Sequence, residues 1–545
     1  MRSIQGKVVL AWVVGLLVCG CGPTNPAPGT IPSGCDQGAI GCFPDGEGQA
    51  VYTCQQDTWV KYESCEFGCV TDIGCTVCTP FQSSCDGGVE HICRADGSGF
   101  DDNECDPVQG MACDTAAGRC GGDCSLTSLG ASYVGCEYYP TITDNTLLFG
   151  DFTFGVIVAN AGDTDANIRL ERVGGGSPDA FVLAARGVEV RRLPMEQDAV
   201  YRLRSDQPVV AYQFNPLDYF SGTSYSYTND ASLLLPRNAL GRDYMVAAWP
   251  TWSGFGGLVA ITAAQDDTKV TISTTAYATP FGSPGESFTR TLQRGELLQL
   301  LSASTASGTT GDLTGTRVTA DKPVQVIGGH NCTNIPMNIT ACDHIEEVLF
   351  PVNTLRDAYV TTSPQALSVA APYIVRVVAD EDDTEISYAP AIVGAATQLD
   401  QAGEFIEFQT DRDVEITSNK PILVMQYMLG ADLVGTGDPA MALAAPIEQW
   451  RNDYLFHAPV NYATNYVNVV APTGASVLLD GLPVVGFEPV GATGWAVARV
   501  ALDNSGDGNH EMTSSEKFGI SVYGYGDYTS YWYPGGLDLE PVAVE

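Results

Sequence analysis

Asp321-Lys322-Pro323-Val324-Gln325-Val326 is one of four copies of the same short phrase, a polar turn followed by an alternating apolar strand. The others are Ser205-Asp206-Gln207-Pro208-Val209-Val210, Ser418-Asn419-Lys420-Pro421-Ile422-Leu423 and Ser515-Glu516-Lys517-Phe518-Gly519-Ile520, the last with Phe518 in the place of proline. Two further markers recur in phase. An apolar strand runs into a polar turn at Val158-Ala159-Asn160-Ala161-Gly162-Asp163, Thr262 to Thr268, Val378 to Thr384 and Val470 to Ser476. A proline is followed eight residues later by a strand-opening tyrosine at Pro236/Tyr244, Pro351/Tyr359 and Pro446/Tyr454. A repeat of supersecondary units sets the architecture before any residue has a role.

Each unit is roughly 100 residues long, against about 40–50 for a propeller blade, and holds several short strands bounded by Gly, Pro, Asn and Asp. In Gly519-Ile520-Ser521-Val522-Tyr523-Gly524-Tyr525 the alternation puts Ile520 and Val522 on one side. One apolar face demands a second layer. The expected fold is therefore all-β, built of repeated β-sandwich-like units, with a β-propeller-like array as the alternative and a small disulfide-rich region in front. Only His344 to Phe350 and Ala440 to Gln449 read as short helices.

The chain has 545 residues, 17% of them charged, and a formal net charge of −39. Such a surface repels phosphate backbones, so nucleic acid is not an expected partner. Arg2 and Lys7 precede the apolar run Val8 to Val18, which is too short to span a bilayer and suits a signal-peptide core. Gly20-Cys21 closes it and resembles the lipobox of bacterial lipoproteins. That resemblance makes 1–20 a lipoprotein signal peptide and Cys21 the acylated residue, with the lipid bilayer as a partner. Several acyl chains on one residue give a stable anchor. By the same resemblance, to lipoproteins of Gram-negative bacteria, Gly22 rather than Asp after the cysteine implies a lipid-anchored, surface-exposed protein of the outer membrane.

Eighteen cysteines less Cys19 and Cys21 leave an even set, fourteen of them between Cys35 and Cys136. Such clustering implies disulfides in an oxidising compartment. A zinc reading of Cys75-Thr76-Val77-Cys78 lacks a second pair at finger spacing. The expected order is a Pro/Gly-rich tether over 21–34, two six-cysteine modules over 35–124 and the repeated β-domain over 125–545. The pairing inside the modules is open, since six cysteines allow fifteen connectivities. Cys124 with Cys136, and Cys332 with Cys342, are the other disulfide candidates.

The closing stretch Val522-Tyr523-Gly524-Tyr525, then Thr529-Ser530-Tyr531-Trp532-Tyr533-Pro534-Gly535-Gly536, resembles the IgGFc-binding protein N-terminal domain family. Asp321-Lys322-Pro323-Val324 leading to Gly328-Gly329-His330, and Asp343-His344 through Glu346 to Pro351, match it too. The resemblance covers about 125–540 and departs in having Trp532 where Gly is usual. It implies extracellular binding or adhesion, with an unknown extracellular protein or glycan as partner, and does not imply antibody recognition.

Signatures of catalysis are absent: there is no G-x-S-x-G, H-E-x-x-H or phosphate loop. The chain is thus read as an adhesin or ligand-binding protein and not as an enzyme. The alternatives are an extracellular polymer hydrolase and a passive structural envelope component. His330, Asp343, His344 and Glu347 flank the Cys332/Cys342 loop and form the candidate metal set, suited to a transition metal. Asp266-Asp267 and Asp380 to Asp383 are candidate structural-calcium ligands at hairpin turns. The aromatic tail Tyr525, Tyr528, Tyr531, Trp532 and Tyr533 is the candidate ligand platform, with ordinary cross-strand packing as its competing reading.

Overall fold

Each copy of the turn phrase sits where one long strand leaves a first sheet and joins a second. The computed structural model describes residues 31–540 apart from 46–47, 72, 147, 149–150, 305–310 and 368. The signal peptide, Cys21 and the tether as far as residue 30 lie outside the described residues.

In repeat 1 the long strand β1 (Tyr201–Asn215) pairs through Tyr201 to Ser205 with Ala166–Arg172 and Gly135–Tyr138, then from Val210 onward with Thr153–Ala159. Its far end also pairs with a short inner strand, β2 (Asp230–Leu233). Repeat 2 has the same plan, broken at the turn itself: Arg317–Ala320 serves the first sheet, and β3 (Val324–Thr333) serves the second beside the inner strand β4 (Asp343–Val348). In repeat 3 the pair is β5 (Val414–Met428) and β6 (Met441–Leu443). In repeat 4 it is β7 (Asn509–Gly526) and β8 (Thr529–Pro534). Proline suits the crossing because it has no N–H to donate to a ladder that is changing partners there.

One hydrogen-bonding device ties two of the sequence markers together. Tyr244 Oη donates to Val324 O (2.7 Å) and accepts from Gly241 N (2.8 Å). Tyr359 bonds Ile422 O (2.5 Å) and Arg356 N (3.2 Å), and Tyr454 bonds Phe518 O and Arg451 N. Tyr138 completes the set on Val209 O (2.5 Å), with no proline eight residues before it. Phe518 therefore stands where Val209, Val324 and Ile422 stand. Lys517 occupies the proline position, one residue earlier than the sequence alignment expects.

The fold is all-β, as read, and its two-sheet repeats close on themselves. Inner strand β2 lies against β4 and β8, and β6 lies against the same two, so the four inner strands surround one axis. Both expected helices are strand or single-turn instead: Asp343–Val348 and Met441–Leu443 are inner strands, and Ile447–Gln449 is a 3-10 turn. Packing around the axis overrides the local helical reading. The main core runs from Tyr133 to Leu539 through all four repeats, and a second apolar cluster joins repeat 3 to repeat 4 through Tyr466, Tyr523, Tyr525 and Trp532.

The chain divides into two compact units. One takes the described residues up to Asp86 with Glu90–Asn103 and Ala117–Arg119, and the other takes Gly87–Val89, Glu104–Ala116 and everything from Cys120. The first contains a three-stranded meander, Ile40–Asp45, Gly48–Gln55 and Thr58–Cys65, with few buried apolar side chains. The bridges Cys35–Cys54, Cys42–Cys69, Cys65–Cys75 and Cys78–Cys93 staple that unit. A core this small needs them, at about 2–4 kcal/mol each. The bonds at Cys75 and Cys78 go to different partners, so that pair holds no zinc. The larger unit carries Cys105–Cys120, Cys124–Cys136 and Cys332–Cys342.

Removing the hydroxyl in Tyr359→Phe strands a buried carbonyl, Ile422 O, and a half-buried amide, Arg356 N. Chemical denaturation is expected to show a loss of about 1–3 kcal/mol, whereas Tyr528→Phe, at an exposed ring, leaves the midpoint unchanged.

Candidate ligand-binding face and the buried axis beneath it

At the centre of the ring stands the Asp230 carboxylate, fully buried. Oδ1 accepts from Ala231 N (2.9 Å) and Trp532 N (3.1 Å), and Oδ2 from Glu346 N (3.1 Å) and Met441 N (3.1 Å). One amide thus comes from each inner strand. Ala231, Glu346 and Met441 each lie five residues before the repeat's proline, so equivalent amides converge on a single acid. Burial pushes this carboxyl upward, and the four amides pull it back toward ionisation.

Asp343 adds a second tie, accepting from Asn229 N (2.6 Å), Thr529 Oγ1 (3.0 Å) and Ser530 N (3.4 Å). Glu347 accepts from Leu233 N (3.2 Å). Alternation along β4 turns His344 and Glu346 the other way, into the seam with repeat 1. There Glu346 meets Gln213 Nε2 (2.7 Å), Asn215 Nδ2 (3.2 Å) and Thr143, and His344 Nε2 lies 3.2 Å from Glu346. His330 accepts from Cys332 N (3.1 Å), and burial lowers its imidazole to about 3. The candidate metal set is therefore corrected. Asp343 and Glu347 face the axis, His344 faces a seam, and among the described residues no three histidine or carboxylate side chains bring ligand atoms within 4.8 Å of one another.

The acidic turns are occupied by their own chain. Asp266 accepts from Arg294 N (3.0 Å) while its carbonyl takes Lys322 Nζ (2.6 Å), and Asp382 accepts from Ala402 N (2.9 Å) with Lys420 Nζ on its carbonyl. Asp267 and Asp383 sit at φ 55°, the left-handed turn position that Asp tolerates. Asp380 is paired with Arg317.

The aromatic tail is also a structural device. Tyr531 and Tyr533 project toward repeat 1, where Tyr531 packs on Phe214 (5.3 Å) and Tyr533 on Tyr212 (5.0 Å). Trp532 points oppositely, toward Tyr373 (6.4 Å) of repeat 3. Tyr525, Tyr531, Trp532 and Tyr533 are buried, so the ligand-platform reading fails for them. Tyr528 alone is exposed.

Tyr528 belongs to a different feature. The four connections between long and inner strands are 216–229, 334–342, 429–440 and 527–528. The described parts of the connections 139–152, 246–256, 362–372 and 458–463 lead to the same end, because Gly155, Gly257, Tyr373 and Thr464 pair with Phe214, His330, Met428 and Tyr525. Neighbouring loops touch: Gly430 N donates to Ile335 O (2.8 Å), Asn461 to Asp218 (3.1 Å), and Tyr225 packs on Tyr528 (5.3 Å). This end exposes Phe220, Tyr227, Met337, Leu367, Leu433 and Tyr528. Three of them hold left-handed backbone, Tyr227 (φ 58°), Leu367 (φ 46°) and Tyr528 (φ 67°). For bulky side chains such a conformation is a genuine outlier, of the kind that collects at functional sites.

The sequence of a family described as IgGFc binding protein matches residues 230–524, just over half of the chain. The chain belongs to the IgGFc-binding family. It is also similar to human IgGFc-binding protein, 27% identical over 316 residues, which cover 56% of this chain and 6% of that protein. The chain therefore spans a small part of the length of the curated relative it matches. No solved structure matches it. The family match opens on Asp230 and takes in the inner strands β2, β4 and β6, while the two sheets of repeat 1 that precede Asp230 lie outside it. Tyr227 and Tyr528 fall on either side of the matched span, so the family likeness alone does not point to them.

Asp230→Asn puts an NH2 group in front of two amide donors. We expect a loss of about 3–5 kcal/mol in denaturant midpoint measurements, against less than about 1 kcal/mol for Asp382→Asn at an exposed turn.

Proposed function

We propose that this protein is an extracellular ligand-binding protein, an adhesin held to the outer membrane through acylated Cys21, and that it binds through the eight-loop end of its ring. The observation that carries the reading is the meeting of exposure and strain at Tyr227, Leu367 and Tyr528, which are 52%, 66% and 55% exposed on left-handed backbone. A rigid ring presenting variable loops at one end is a common way to position contacts. Exposed tyrosines supply large contact area at low entropic cost. Membership of the IgGFc-binding family supports an extracellular binding role, and the likeness to human IgGFc-binding protein makes a protein ligand one candidate. The disulfides agree with an oxidising compartment.

The double variant Tyr227→Gly, Tyr528→Gly removes both rings and relieves both backbones. On a screen of glycans and extracellular proteins it is expected to lose the wild-type ligand at least tenfold while its thermal midpoint holds or rises. Retained binding would move the site elsewhere. Anchoring is tested separately: Cys21→Ser is expected to move the protein from the membrane fraction to the soluble one, with binding intact.

A further inference from the structure

The eight loops that make the open end contain no lysine and no arginine. Their charged residues are Asp144, Asp151, Asp218, Asp432, Asp438 and Asp527. Asp151, Asp432 and Asp527 are exposed, whereas Asp144 and Asp438 are buried. Four more connections end here, since Pro194, Leu301, Thr410 and Leu502 pair with the same strand starts. Those add Glu196, Asp198, Asp312, Asp411, Asp413, Asp503 and Asp507 against the single Arg412. Four cations reach in from flanking strands and pair with acids of this end, Arg192 with Asp218 (3.3 Å), Arg172 with Glu196 (2.6 Å), Arg376 with Asp312 (3.0 Å) and Arg499 with Asp413. That leaves Asp151, Asp432 and Asp527 as the exposed acids of the eight loops, with no arginine or lysine partner among the described residues. The other end of the ring is mixed, with Arg186, Lys322, Lys420, Arg451 and Lys517 among its acids.

From this asymmetry we propose that the loop end takes a basic polypeptide, a protein segment whose lysines and arginines alternate with apolar side chains. The proposal rests on the loop end being the binding face and adds the chemistry of its partner. Tyr225, Tyr227 and Tyr528 form one cluster, with ring centroids 5.3 Å apart for Tyr225–Tyr528 and for Tyr227–Tyr528 and 5.8 Å for Tyr225–Tyr227. Asp527 stands beside them, 3.4 Å from Tyr225 Oη. An aromatic face next to a carboxylate attracts a guanidinium or ammonium twice, through the ring quadrupole and through charge. Across the face, Leu433, Met337 and Leu367 offer apolar contact, with Asp432 next to Leu433. An anionic partner such as a phospholipid headgroup or a sulfated glycan would meet repulsion from the exposed carboxylates Asp151, Asp432 and Asp527. A neutral glycan would use the rings and leave the bias of charge unexplained.

The test measures binding of the full chain to a 20-residue peptide alternating arginine and leucine, with a glutamate–leucine peptide of equal length for comparison. Wild type is expected to bind only the first, more weakly as salt rises. Asp432→Asn with Asp527→Asn, and separately Tyr227→Gly with Tyr528→Gly, should each weaken it at least tenfold. Glu381→Gln with Glu516→Gln, which removes the same charge from the other end, should leave it within twofold. Equal loss from both ends would overturn the proposal by showing that the net charge alone draws the peptide. Failure of wild type to bind the basic peptide, while the tyrosine variant still loses a ligand found by screening, would overturn the partner chemistry and leave the loop face standing.

Discussion

A carboxylate removed from water must find donors, and Asp230 takes one backbone amide from each of the four repeats. No amide in that set has its ordinary antiparallel partner on that side, because the inner strands meet as the edges of four separate sheets. Edge strands carry unpaired groups that would otherwise template further pairing. A single acid therefore completes four edges at once and holds the repeats at one spacing. Asp343 and Glu347 extend the same solution along the axis, using Asn229, Thr529, Ser530 and Leu233.

Much of the repeat was legible because its markers are local. The Pro/Tyr spacing and the proline-closed turn each lie within a few residues, and strand alternation is visible in β7. What joins them was not legible, since Tyr244 and Val324, or Tyr359 and Ile422, are separated by most of a repeat. The hidden fourth tyrosine, Tyr138, lacks the proline that flags the others. Asp230 gives no signal at all in sequence: Asn229-Asp230-Ala231 reads as an ordinary polar turn, and its donors lie up to three repeats away.

The misreadings share one physical source. A strand buried on both faces loses the contrast between inside and outside that makes period-2 patterns readable. The inner strands are of this kind, so His344 to Phe350 looked helical and Tyr531 to Tyr533 looked like a surface platform. The metal set failed for the same reason, since adjacent residues of β4 serve opposite neighbours. Tyr528 was legible as a candidate contact, but its neighbour Tyr227 was not, because a left-handed φ leaves no trace in residue type.

The wedge formed by Tyr531, Trp532 and Tyr533 also bears on the order of events during synthesis. These side chains fill both seams of repeat 4, yet they lie within the last residues of the repeat array. A ribosome or export channel delivering the chain from its first residue onward releases three repeats of which the first and the third each lack a neighbour on one face. Until β8 emerges, the acid at the axis lacks its fourth amide and the aromatic pockets of repeats 1 and 3 stand open to water. Closure of the ring thus waits for β8, the last of the four inner strands in chain order.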